Sequence, residues 1–346
     1  MELSERAERL KGQVMFQIKS KAEELERQRK RLIHFEIGDS QFNIPSTVKK
    51  ALIKAIKQNK THYVDSKGLY KLRKSIADLR GVDVENVLIA PANFQIFLSL
   101  SLLCNKGDEV VIPNPGFPTY GAVCNYLGLK VSKKITNKTK AVIVNFPNNP
   151  TGQINWERNC NLFLKCFSKG IWFINDAVYR EMYYGEGYSL WIGLEKAIEI
   201  NGFSKSHSMS GLRLGYMIAP KEIIDKASLL IETTVSCFPH FIQEAGLEAI
   251  KIQNYKMKEL KKCMKLMVKG INSIRGLSCV EPKGAIYCWV KVGKRFKLGE
   301  DFADWALKRG VVVCPGSAFG KKNYVRFCFA TSIKNIKEGI RRLKRN

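Results

Sequence analysis

The strongest constraint on the fold is a series of short apolar runs that alternate with helical stretches after residue 86. Each run is bounded by turn residues and is too short to form a helix: 87–89, 109–112, 141–144 and 171–174. This pattern is typical of buried strands in a largely parallel α/β sheet. Ligands of such sheets bind beyond the carboxyl ends of the strands. We therefore expect the loops after these runs to carry the functional residues.

The predicted secondary structure changes towards both ends of the chain. Residues from about 5 to 30 indicate a polar helix, a helical stretch covers roughly 220–270, and hairpin-like strands and a basic helix follow residue 276. These changes predict a large α/β domain, with a mostly parallel sheet between helices, and a smaller α+β domain. The predicted parts are an N-terminal segment contributing to the small domain (1–44), the large domain (45–270) and the small C-terminal domain (271–346).

Composition excludes several classes of protein. No apolar stretch approaches the ~18 residues of a membrane-spanning helix, and the charged N-terminus is not followed by an apolar signal core, so we expect a cytoplasmic protein. The ten cysteines and four histidines are scattered, without the spacing of metal ligands. We predict reduced thiols and no metal site.

The charge balance is strongly basic. Among 346 residues, 58 Lys and Arg minus 31 Asp and Glu give a net charge of +27. Such a charge attracts nucleic acid, an anionic membrane surface or a phosphorylated substrate. The alternative is a coding bias spread over solvated helix faces, without the aromatic residues of a single-strand binding platform.

One run carries the most specific chemistry, 201–216, in which Lys205 follows Ser204 and precedes Arg213 by eight residues. A lysine that forms a Schiff base must be partly desolvated and lie near other cations. Hydroxyl groups and a guanidinium suit a phosphate. The run predicts a covalently held, phosphorylated aldehyde cofactor, with Ser204 and Arg213 on its phosphate. A solvated lysine in a Ser/Gly-rich loop is the simpler alternative.

Two further loops supply matching groups. Asn149 lies in a rigid turn after the third strand, and Asp176 ends the fourth, three residues before Tyr179 on what we expect to be a first helical turn. Asp176 would pair with a protonated ring nitrogen, and Asn149 and Tyr179 would bind a phenolate oxygen. Taken singly, Asn149 is a turn residue and Asp176 a helix N-cap.

The complete set resembles the class I/II aminotransferases, which are pyridoxal-phosphate enzymes of fold type I. The resemblance runs nearly end to end and follows the order of that family. Its motifs are Phe35-Glu36-Ile37-Gly38-Asp39, Tyr63 with Gly68, Pro113-Asn114-Pro115-Gly116-Phe117-Pro118-Thr119-Tyr120, the Asn-Pro-Thr-Gly turn 149–152, the Asp176/Tyr179 pair, the lysine run, Lys283-Gly284-Ala285-Ile286-Tyr287 and Val325-Arg326-Phe327.

The resemblance implies roles for residues at both ends of the cofactor. Phe117 would stack on the pyridine ring, and Arg326 would bind the substrate α-carboxylate as a bidentate fork. Gly38 would contribute to the substrate site. Tyr63 would reach the phosphate bound by the neighbouring subunit, which requires a homodimer.

The start of the helix after the first strand departs from the family pattern. Ala92 and Asn93 stand where these enzymes have a glycine-rich segment, and their backbone amides could still bind the phosphate.

We therefore expect an aminotransferase that moves an amino group between an amino acid and a 2-oxo acid through Lys205. A decarboxylase of a phosphorylated amino acid is the alternative on the same fold, since the positive charge favours a phosphorylated or acidic substrate. A nucleic-acid-binding regulator is the remote alternative, because the chain lacks the ~70 extra residues of a DNA-binding domain.

Overall fold

A computed structural model describes residues 2–185, 195–293 and 295–344; residues 345 and 346, at the end of the predicted C-terminal domain, lie outside this part. The α-helices within it are α1 (Glu5–Glu8), α2 (Val14–Arg27), α3 (Ser46–Lys57), α4 (Tyr70–Arg80), α5 (Ala92–Leu103), α6 (Pro118–Leu127), α7 (Trp156–Ser168), α8 (Phe203–Ser206), α9 (Lys221–Thr234), α10 (His240–Ala249), α11 (Met257–Asn272), α12 (Gly299–Lys308) and α13 (Ile333–Lys344).

The strands form three sheets. They are β1 (Ile33–His34), β2 (Val87–Ile89), β3 (Glu109–Val111), β4 (Lys130–Ser132), β5 (Thr139–Asn145), β6 (Trp172–Asp176), β7 (Ala197–Gly202), β8 (Gly215–Ile218), β9 (Leu277–Cys279), β10 (Tyr287–Val292), β11 (Val311–Val312), β12 (Cys314–Pro315) and β13 (Tyr324–Cys328).

The largest sheet has the order β2-β8-β7-β6-β5-β3-β4, and β8 alone runs antiparallel to its neighbours. Strands β5 to β7 are buried on both faces, as their apolar content requires. The mostly parallel α/β fold expected from the sequence is confirmed, and the four predicted strands are β2, β3, β5 and β6.

Strand β7 was not predicted, because polar residues interrupt its apolar pattern. Glu199 is nevertheless buried in the strand, where it pairs with Arg80 and Arg180 from neighbouring elements. A paired charge can be buried at a strand position that periodicity alone assigns to solvent.

Two predicted helical stretches were wrong in detail. The stretch 220–270 is three helices, since α10 begins after Pro239 and α11 after Lys256, whose φ of 58° lies in the left-handed region. The chain after Asp176 makes a turn and a single 3₁₀ turn at Arg180–Met182 rather than an α-helix.

The remaining strands connect the two ends of the chain. Strand β1 pairs in parallel with β11, and β12, β13, β10 and β9 form an antiparallel sheet. Helix α13 packs against both β1 and β11. The division at residues 44 and 270 stays a prediction. None of the described helices is long and apolar enough to cross a membrane.

Candidate active site

A cavity of about 520 Å³ opens where strands of the largest sheet end. Strands β5, β6 and β7 are parallel, so their carboxyl ends meet at one edge, and the chain leaves them at Asn145, Asp176 and Gly202. Lys205 follows Gly202 in the short helix α8. We call Asn145, Asp176 and Lys205 the sheet floor.

Asp176 is the buried anion of the floor. Its side chain is 4% exposed, and the Tyr120 hydroxyl donates to its Oδ2 at 2.6 Å. The backbone amide of Val178 makes a longer contact of 3.4 Å with Oδ1. Burial raises the pKa of Asp176 to about 6, and the hydrogen bond from Tyr120 opposes that shift. A buried carboxylate in such surroundings prefers a cationic partner.

Lys205, in α8, lines the same cavity as Asp176. Its Nζ donates to the carbonyl oxygen of Gly38 at 2.6 Å. Burial lowers the pKa of Lys205, and the carboxylate of Asp39 opposes that shift. A lysine with a lowered pKa is more often neutral and therefore more nucleophilic. Gly38 has no room for a side chain, because an added Cβ would lie 2.2 Å from the hydroxyl of Tyr287.

Arg326 enters the cavity from β13 and is fully buried. It donates to Asn149 Oδ1 at 2.9 Å and to the carbonyl oxygen of Glu36 at 2.5 Å. Its guanidinium lies 4.4 Å from the ring centre of Tyr287 and 4.6 Å from that of Phe319. Its buried Nε has no hydrogen-bond partner in the described chain. An arginine has five N–H donors, and two are engaged with described residues, so the rigidly held guanidinium keeps donors for a carboxylate ligand.

Asn149 and Tyr179 line the same cavity. Because arginine only donates, Asn149 must accept through its Oδ1. The Nδ2 amide group of Asn149 can then donate elsewhere. Its backbone amide is fixed by Asn145 Oδ1 at 2.7 Å. The Tyr179 hydroxyl bonds that of Tyr287 at 2.6 Å, and burial raises its pKa well above the usual value. Tyr179 therefore remains a neutral hydroxyl.

The residues predicted to bind phosphate also line the cavity: Ala92, Asn93, Ser204 and Arg213. Helix α5 begins at Ala92, and its first intrahelical bonds are made by the amides of residues 94 and 95. The amides of Ala92 and Asn93 precede those bonds, as an anion site at a helix N-terminus requires. Arg213 is exposed and donates to the carbonyl of Ser210 at 2.7 Å.

Of the two predicted aromatic contacts, one lines the cavity and one does not. Phe117 lies on the cavity wall, with its ring centre 5.7 Å from that of Tyr120 in an edge-to-face arrangement. Tyr63 is 85% exposed and is not among the residues around this chain's cavity.

Sequence reasoning assigned no role to several residues of the site. Tyr120, Asn145 and Tyr287 lie within or beside the quoted motifs, but their contacts with Asp176, Asn149 and Tyr179 appear only in the fold. Position next to a functional motif is the only local signal for them.

A second missed group comes from the N-terminal helix. Gln13, Phe16 and Lys19 border the cavity, and we call them the N-terminal wall. Nothing local distinguishes these residues from others on a polar helix.

Comparison with known proteins identifies the family of the chain. The sequence model of the family "Aminotransferase class I and II" matches residues 30–343. The chain belongs to this family. Enzymes of this family use pyridoxal phosphate as their cofactor.

Individual relatives agree. A (5-formylfuran-3-yl)methyl phosphate transaminase of Methanocaldococcus jannaschii is 34% identical, with 93% of each chain covered. A probable aspartate/prephenate aminotransferase of Aquifex aeolicus is 33% identical over 99% of this chain and 98% of its own. The solved aspartate aminotransferase of Thermus thermophilus with maleate superposes with a TM-score of 0.94 at 27% identity, covering 99% of both chains. These relatives confirm the expected aminotransferase over the decarboxylase and regulator alternatives.

Proposed function

We propose that this aminotransferase holds pyridoxal phosphate in the cavity at the sheet floor and transfers amino groups with Lys205 as its covalent anchor. The observation that carries the proposal is the convergence of Lys205, Asp176 and Arg326 on one cavity. A nucleophilic amine, a buried carboxylate and a carboxylate-binding guanidinium are the three groups that such a reaction needs from the protein.

The residues fit this cofactor. Asp176 is buried beside the neutral Tyr120 hydroxyl and forms no ion pair with any described residue, which suits a protonated pyridine nitrogen. The Asn149 side-chain amide NH2 donates to no described residue and Tyr179 has a neutral hydroxyl, so both can bind the phenolate oxygen. Phe117 would stack on the pyridine ring, a contact between aromatic faces that needs no hydrogen bond.

The phosphate would be held by several modest contacts. The amides of Ala92 and Asn93 lie at the positive end of the α5 dipole, and Ser204 and Arg213 line the same cavity. Among the described residues Arg213 donates one hydrogen bond, to a carbonyl, so its remaining donors suit a phosphate oxygen.

Bound pyridoxal phosphate supplies an electron sink for the bonds at the substrate Cα. Arg326 orients the substrate by its α-carboxylate, since its guanidinium is fixed between two rings. The Lys205 amine then moves a proton at the substrate Cα as general base and acid, a role that its lowered pKa favours. Tyr120 keeps Asp176 ionised by donating to its carboxylate.

The substrate pair is an amino acid and a 2-oxo acid, and a phosphorylated or acidic member is part of this proposal. The M. jannaschii relative is named for a phosphate ester and the A. aeolicus relative for aspartate and prephenate.

A homodimer is also part of the proposal, because Tyr63 is an exposed aromatic that lies outside its own chain's cavity. Sedimentation at micromolar concentration would test the dimer. The cytoplasmic location stays a prediction.

Absorbance spectroscopy tests the proposed function. The protein loaded with pyridoxal phosphate should absorb near ~420 nm, move to ~330 nm when an amino donor is added, and return with a 2-oxo acid. Carbon dioxide release without that change would support the decarboxylase instead. A protein that never acquires the ~420 nm band would refute the proposal.

A further inference from the structure

The cationic side chains of the cavity exceed the tasks that the proposed function gives them. Among the described residues that line it, the cations are Lys19, Lys205, Arg213 and Arg326. Lys205 is the covalent anchor, Arg213 serves the phosphate and Arg326 the α-carboxylate. Lys19 has no task in that scheme.

Helix α2 is fixed over the cavity at its first turn. The Gln13 side chain donates to Thr119 Oγ1 at 3.1 Å, which attaches the helix start to α6. Met15 is buried in a cluster with Cys314 and Phe319, against which Phe117 also packs. Phe319 is also the ring beneath Arg326. The start of α2 therefore packs into the same cluster as Phe117 and as Phe319, the ring that contacts Arg326.

The spacing of residues along α2 directs Lys19 to the cavity. Met15 and Lys19 are four residues apart, and Phe16 and Lys19 three apart, so these side chains share one side of the helix. Phe16 is 58% exposed, although it is apolar and borders the cavity. The pair presents an apolar surface ending in a positive charge.

The present partner of Lys19 holds it weakly. Its Nζ lies 3.5 Å from Glu23, and both side chains are about half exposed, at 49% and 48%. Solvated ion pairs of this kind contribute little free energy, so Lys19 can leave Glu23 for a ligand at small cost.

We infer that Lys19 determines substrate specificity by binding an anionic group at the far end of the substrate side chain, with Phe16 against the apolar part. The inference rests on the proposed function, since it places a substrate in this cavity. A carboxylate and a phosphate share the chemistry that Lys19 recognises, and both are oxyanions that a lysine binds as a point charge.

Matched amino donors test the inference. Glutamate and glutamine differ by a distal charge, and so do O-phosphoserine and serine. The wild-type holoenzyme should show a higher kcat/KM for the anionic member of at least one pair. In Lys19→Met that ratio should fall about ten-fold, and in Lys19→Glu further, whereas Lys19→Arg should restore most of it. The pair that responds identifies the anion as carboxylate or phosphate.

A matched control lies on the same helix. Lys21 pairs with Asp304 at 3.8 Å and does not line the cavity, so Lys21→Met should keep the wild-type ratio. Turnover of glutamine or serine tests the proposed function alone, while the ratio tests Lys19, so the two can fail separately. An unchanged ratio in Lys19→Met, or equal loss for charged and neutral donors, would overturn the inference.

Discussion

The sheet floor and the N-terminal wall border the same cavity but are built differently. Every side chain of the floor is held: Asn145 donates to the carbonyl of residue 176, Asp176 accepts from Tyr120, and Lys205 donates to Gly38. The wall is attached by the hydrogen bond from Gln13 and by the buried Met15 beside it, while its Phe16 and Lys19 are exposed. Chemistry that needs fixed geometry lies on rigid strand ends, whereas selectivity lies on exposed side chains of a surface helix.

The largest expected effect lies on the floor. Lys205→Ala removes the amine that anchors the cofactor and moves the proton, so turnover should fall about 10⁵-fold. The fold should survive, because the removed group is an amine whose burial already lowers its pKa. Steady-state kinetics and thermal unfolding would measure the two properties. Retained turnover in the variant would place the chemistry elsewhere.

Arg326→Lys should have the next largest effect. A lysine keeps the charge but loses the fork and the contacts with the Tyr287 and Phe319 rings, so KM for the substrate acid should rise about 100-fold. The effect on kcat should be smaller, because Arg326 orients the substrate and does not move the proton. Initial rates over a range of substrate concentrations would show this split. A variant that folds with an unchanged KM would remove Arg326 from the substrate site.

Tyr120→Phe should change the pKa of Asp176 and leave the other floor residues in place. Its hydrogen bond lowers the pKa of Asp176, so the variant should raise that pKa above about 6. Asp176 must be ionised to bind a protonated ring nitrogen, so cofactor affinity should fall on acidification from a midpoint roughly one pH unit higher than in wild type. Fluorescence titrations with pyridoxal phosphate at several pH values would locate both midpoints. Coincident midpoints would show that Tyr120 does not tune Asp176.

The last prediction concerns the stability of the N-terminal segment and not turnover or cofactor binding. A hydrogen bond to Glu36 at 2.9 Å raises the pKa of His34 from 6.5 to about 9, with help from Glu26 at 3.1 Å. A raised pKa means that the stabilisation is complete below pH 6.5 and disappears as the pH rises through 9.

His34→Gln should therefore lower the free energy of unfolding by about 2 kcal/mol at pH 6 and by little at pH 10. The loss at pH 6 is smaller than the full pKa shift implies, because the ring is partly exposed to solvent. Denaturant unfolding at the two pH values would test this. A loss of equal size at both would mean that packing, and not charge, is what His34 contributes.

Two of the three floor residues, Asp176 and Lys205, were predictable because their signals are local. Asp176 and Lys205 follow apolar strands, and their neighbours Tyr179, Ser204 and Arg213 lie within eight residues. The parallel sheet then brings separate strand ends together without further information. The same reasoning placed Asn149, whereas Arg326 was expected from the family resemblance, and its contact with Asn149 joins residues 177 positions apart.

The wall was not predictable, because the sequence around Lys19 is that of an ordinary solvent-exposed helix. Its place beside the cavity depends on Gln13 meeting Thr119, 106 residues away, and on Met15 packing into the cluster of Phe319. Tyr120 was overlooked for the same reason, because its bond to Asp176 spans 56 residues. Contacts of this kind arise from tertiary packing and leave no pattern in the local sequence.

Mapping the site of covalent cofactor attachment tests the central claim most directly. The protein would be mixed with pyridoxal phosphate, reduced with borohydride, digested and analysed by mass spectrometry, with Lys205→Ala as the control. We predict one dominant pyridoxyl adduct, on Lys205, that the control lacks. Adducts distributed over surface lysines at similar levels in both proteins would contradict the account.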